Sequence, residues 1–104
     1  MSEVALDDQE PVLRVETIWE GTYATLAHIA LRGTNQRAIN HGSTMIYGVL
    51  SGIGTMIVDG VRHSLQAGVL IEVPQDTPYQ DFGNVDMLAI SIPPFAIDTV
   101  EFLN

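Results

Sequence analysis

The chain has no cysteine and no lysine, and only four arginines face thirteen aspartates and glutamates. Without cysteine there is no disulfide, no thiolate metal site and no sulfur nucleophile. Without lysine, Schiff-base chemistry is left to the N-terminal amine alone. The formal net charge of −9 argues against nucleic acid, whose phosphates need a basic face, and against anionic membrane surfaces. No run approaches the 18 apolar residues of a membrane span. No basic, then apolar, leader opens the sequence, so a cytoplasmic location is expected. No twelve-residue window keeps a 3.6-residue apolar period, which predicts almost no helix. Gly52-Ile53-Gly54 lies between two strand-like runs, not before a helix, so a nucleotide-binding loop is excluded. There is no serine nucleophile elbow either.

What is present is apolar and strand-like. The 104 residues, 46% of them hydrophobic, suffice for one core. A single domain is expected over residues 12–104, after a flexible acidic arm, 1–11, carrying Glu3, Asp7, Asp8 and Glu10 ahead of Pro11. Strand-like runs cover Val12–Trp19, Thr22–Leu31, Met45–Leu50, Gly54–Val58, Val69–Val73, Tyr79–Phe82 and Met87–Ile92. Asp59-Gly60, between Val58 and Val61, predicts a tight hairpin whose two central residues take positive φ. Ser51-Gly52, Gly33-Thr34-Asn35 and Ala67-Gly68 read as further turns, and Pro93-Pro94 closes the last strand. Short strands at this spacing predict an all-β sandwich or barrel.

The order Met45 to Gly52, Gly54, the Asp59-Gly60 hairpin, Gly68 and Pro74 resembles that of the small single-domain cupins, over roughly residues 22–95. Ile92-Pro93-Pro94-Phe95 resembles the end of that family's last barrel strand. The resemblance implies a jelly-roll β-barrel. It also implies a metal site of three histidines and a glutamate, suited to Fe, Mn, Ni or Zn. Carried over, those positions fall on Ile39, His41, Met45 and Tyr79, with Asn40 entering if the loop shifts by one residue. Asp76 stands where the family has a glycine, in a turn where aspartate suits the backbone. One imidazole remains of four ligands. A thioether is a poor partner for such ions, and a phenol must first lose a proton of pKa about 10. No metal cofactor is therefore expected.

Strand alternation identifies what stands in the lumen instead. If His41 faces inward, so do Met45, Tyr47 and Val49, in the absence of a bulge; if Tyr79 does, so does Asp81. Tyr47, Tyr79, Asp81 and His41 are the candidate catalytic set, with Met45, Val49, His28 and Glu72 as candidate ligand contacts. Each tyrosine is either a site residue or barrel filling. His28 faces the lumen or is a hydrogen-bonded core or interface residue. Glu72 is a buried acid or a solvent-facing residue on an edge strand. His63, beside the hairpin, reads as surface.

Metal-free relatives include epimerases, isomerases and cyclases. The resemblance therefore implies a small organic ligand in the barrel and an isomerase, cyclase or lyase moving protons on a carbonyl compound. Two alternatives remain: a non-catalytic binding or sensing module, and a metal enzyme with an unconventional set of His41 and His28 with Glu72 or Asp81. A homodimer is expected, because residues 12–19 add an apolar strand whose edge needs cover.

Overall fold

The computed structural model describes residues 12–103; the expected acidic arm lies outside them. Eight strands make one curled sheet: β1 (Leu13–Glu20), β2 (Thr25–Thr34), β3 (Ala38–Asn40), β4 (Thr44–Val58), β5 (Val61–Gln66), β6 (Leu70–Val73), β7 (Pro78–Ile92) and β8 (Val100–Phe102). Among the described residues the only helical element is one 3-10 turn, Ile97–Thr99. The all-β jelly-roll expectation holds.

β4 and β7 form the spine. They pair antiparallel from Thr44 opposite Ile92 to Val58 opposite Tyr79. β2 lies on the other side of β7 and carries β1 at its outer edge. β3 continues that side and carries β8. β6 and β5 pair with successive halves of β4.

Two runs expected on either side of Ser51-Gly52 are a single 15-residue strand, and so are the two at the C-terminal end. The strand does not turn at Ser51-Gly52: its register shifts between Val49 and Ser51, leaving Leu50 as the extra residue of a bulge, and Gly52 follows at φ 95°. One extra residue bends a strand without ending it. Because the bulge reverses the phase of β4, Met45, Tyr47 and Val49 are buried before it and Met56 and Val58 after it. Opposite this bend Gly83 faces Gly54, and a side chain on Gly83 would stand 2.6 Å from the Ile53 carbonyl oxygen. The Asp59-Gly60 hairpin has its expected geometry, φ 51° and 82°.

Alternation decides the core. Ile29, Leu31, Val85, Met87, Ala89, Ile71 and Val73 point inward with Met56 and Leu65. The intervening residues of the same strands form the convex outer face.

Candidate functional site

The concave face encloses a cavity of about 290 Å³, at the small end of the range for organic-ligand pockets, roughly 300–1,000 Å³. Its walls are the inward residues of β1 (Leu13, Val15, Thr17), of β2 (Thr25, Ala27, Ile29) and of the C-terminal segment (Phe95, Ile97, Val100, Phe102). Against this apolar surround, Tyr47, Tyr79, Asp81, Asn35, Met45 and Ser91 gather polar atoms at one place.

Tyr47 and Tyr79 stand on neighbouring strands with ring centroids 6.3 Å apart and planes at 45°. Burial raises the Tyr47 hydroxyl well above its ordinary pKa, and the Tyr79 phenol and Asp81 push the same way. Burial also raises Tyr79, opposed by the hydrogen bond from Tyr47. Both phenols are therefore fixed donors across the ordinary pH range. Asp81 is 2% exposed. Burial lifts its carboxyl above the usual range, while a hydrogen bond from Asn35 holds it back. In that bond Asn35 Nδ2 donates to Asp81 Oδ1 at 3.0 Å, and the Asn35 backbone N–H donates to the Asp81 carbonyl at 2.9 Å. The Ser91 hydroxyl donates to Met45 Sδ at 3.1 Å. Two phenols and one carboxyl of raised pKa in a desolvated cavity make a candidate set for proton transfer.

The structure therefore brings together four residues expected in the lumen: Tyr47, Tyr79, Asp81 and Met45. It separates the others. His41 is not in the cavity lining; it lies just beyond β3, where the strand has ended and alternation no longer fixes its direction. Its ring is half-exposed between two carboxylates, Nδ1 at 2.6 Å from Asp76 and Nε2 at 2.8 Å from Glu101. Those bonds, Glu101 first, raise its pKa. His28 has the opposite phase to Ala27 and Ile29, so it faces outward, 3.7 Å from Asp86. Glu72 is exposed between inward Ile71 and Val73, the solvent-facing alternative of the two. Val49 is buried in the core but outside the cavity lining.

In the sequence Asn35 reads only as part of a turn cluster. Ser91, Thr17, Thr25, Glu20, Gln36 and the C-terminal residues likewise line the cavity without a sequence motif to mark them. For Ser91 a signal existed, since it shares the phase of Ala89 and Met87.

The metal positions implied by the resemblance do not fit an ion. His41 is bound on both nitrogens outside the cavity, Met45 accepts from Ser91, and Tyr79 is held protonated. Nor are His41, His28 and Glu72 brought together: among the described residues no three His, Asp or Glu side chains converge as a metal site.

No family model and no curated protein matches the chain. Solved structures do, at low identity. A Streptomyces PAC13 variant with uridine superposes with a TM-score of 0.83 at 22% identity, over 91% of this chain and 81% of that one. Pac13 is described as a nucleoside dehydratase. KdgF from Halomonas sp. gives 0.78 at 14% identity, over 86% of each chain. A salicylate 1,2-dioxygenase from Pseudaminobacter salicylatoxidans gives 0.78 at 15%, over 98% of this chain but 34% of that one. Together with a cupin domain of Schizosaccharomyces pombe Cnp3, they show that the chain has the cupin fold.

Proposed function

We propose that the cavity binds a small carbonyl compound and moves protons on it without a metal, as an isomerase, cyclase or lyase. The observation that carries this reading is the Tyr47–Tyr79–Asp81 cluster in a mainly apolar cavity. Tyr79, kept protonated by burial, donates to a carbonyl or enolate oxygen, and Tyr47 supports it by donating to the Tyr79 hydroxyl. Such donors act strongly in a dry site because they need no reorganisation. Asp81 exchanges a proton with the adjacent carbon or with a departing hydroxyl. Where the released electron pair goes decides between isomerisation, ring closure and elimination. Elimination has a counterpart among the fold's neighbours: Pac13 is described as a dehydratase, and variants with a tyrosine replaced by phenylalanine or a histidine by glutamine were solved with uridine. No histidine lines this cavity among the described residues, and of its two acids Asp81 is the buried one, so the proton is assigned to Asp81.

The test is proton exchange. Uridine and other small uncharged carbonyl compounds are incubated with the protein in D2O, and loss of substrate protons or formation of product is followed by NMR. Asp81→Asn should slow turnover about 10²–10⁴-fold, as loss of a general acid–base does. Tyr79→Phe should slow it about 10²–10³-fold, as loss of one oxyanion donor does, and Tyr47→Phe should slow it through Tyr79. Full activity in all three variants would overturn the mechanism. We propose further that the protein forms a two-fold homodimer through the edge of β1.

A further inference from the structure

The basic side chains of the chain all lie within the described residues. The sequence has four arginines, three histidines and no lysine, and residues 1–11 and 104 contain none of these. Arg32 turns outward to Asp86, 3.4 Å away, beside His28. Arg62 lies over the Phe82 ring, 5.9 Å from its centroid. Arg14 alternates with Leu13 and Val15, which line the cavity, so it belongs to the opposite face of β1. Arg37 borders a separate recess with Ile57, Asp59 and Pro78 that shares only Tyr79 with the cavity. His41 is occupied by Asp76 and Glu101, and His63 pairs across from Met56 outside the lining.

The cavity is thus lined by no basic side chain among the described residues, while two acidic ones, Asp81 and Glu20, do line it. A ligand phosphate or carboxylate entering it would be stripped of water with no counter-charge, inside a chain of net charge −9. Desolvating an unpaired charge is strongly unfavourable. Uncharged polar groups are well served, because Tyr47, Tyr79, Ser91 and Thr25 supply hydroxyls against apolar walls.

We infer that the cavity selects uncharged small molecules and rejects the phosphorylated or carboxylated forms of the same skeleton. This rests on reading the cavity as the substrate site, and it names the class of substrate. The discriminating residues are positions whose side chains are neutral where an anion-binding site would have a base: Thr17 on β1, Ala27 opposite it on β2, and Ala89 opposite Ala27 on β7.

The experiment compares matched pairs on the full chain: uridine with uridine 5′-monophosphate, and salicylamide with salicylate. Binding is read from the NMR methyl signals of Met45 and Ala89. The uncharged member of at least one pair should shift those signals, and its charged partner should bind at least about tenfold more weakly, given the desolvation cost. Thr17→Arg, at an exposed lining position, should recover the charged partner and reduce that gap. Equal or tighter binding of the monophosphate or of salicylate by the unmodified chain overturns the inference. So does the absence of any shift with both uncharged compounds. The proposed chemistry fails separately, when an uncharged compound binds but is neither turned over nor exchanged with solvent.

Discussion

At the scale of single residues, two acid–base groups make stability depend on pH in the same direction but over different ranges. Asp81 has a folded pKa raised above its ordinary 3.8 by burial. The folded state therefore holds that proton more tightly than the unfolded state, and the associated stability is complete below about pH 3.8 and lost as pH rises through the folded value. Asp81→Asn removes the cost of ionising a buried carboxyl, so the variant should melt above the parent at pH 8 and close to it at pH 4. A residue that lowers stability while serving a site is the expected trade. His41 is also raised, from 6.5, by Glu101 and Asp76. Its contribution is complete below about pH 6.5 and lost as pH rises through the folded value. Because the ring is open to solvent, the effect is confined to what it holds, the C-terminal strand through Glu101. Amide exchange in β8 should quicken over that range in the parent and become pH-insensitive, beyond the chemistry of exchange itself, in His41→Gln. Unchanged behaviour in the variant would remove His41 from this role.

At the scale of elements, period-two alternation made the interior legible and the connections hid the rest. Tyr47 and Met45 on β4, and Tyr79 and Asp81 on β7, could be assigned to one face because both strands are regular where these residues stand. The same rule, applied with the phase of Ala27 and Ile29, would have turned His28 outward. His41 and Asn35 escaped it for a physical reason: both lie in connections, where backbone hydrogen bonding follows the turn and not the strand. The glycines marked bends correctly, but not what the bends did. In the sequence Gly52 reads as a strand end; in the structure it follows a bulge at Leu50 inside a strand that continues. The paired glycine at Gly83 has φ 131° and no room for a side chain against Ile53 and Gly54. Gly83→Ala should therefore destabilise the β4–β7 spine by about 2–4 kcal/mol, combining backbone strain with a steric clash. A denaturant midpoint within error of the parent would show that the bend can move to accommodate it. As a control with a known cause, Met56→Ala in the core should cost about 2–5 kcal/mol while leaving that bend intact.

At the scale of the whole molecule, surface pattern and net charge pull against each other. Trp19 packs its ring over Gly21 yet stays 54% exposed, and Val15 and Ile18 on the same strand are similarly open. β1 pairs only with β2 among the described strands, so its outer edge offers unpaired backbone groups beside these apolar side chains. The outer face continues the apolar surface from Trp19 across Leu26 and Ile90 to Ile46, which are cross-strand neighbours. A second copy related by a two-fold axis meets edge with edge and covers both patches at once, which a heterologous contact would not close. Each copy carries −9, however, so association works against repulsion that salt screens within about 10 Å at 0.1 M. The predicted signature is a dimer by light scattering whose dissociation constant falls as salt is raised. This is the opposite of what an interface held by opposite charges would show. Trp19→Ser should shift the population to monomer without loss of fold, since the indole contributes little to the core. A chain that stays monomeric at micromolar concentration in both low and high salt would refute the dimer and leave the β1 edge bare.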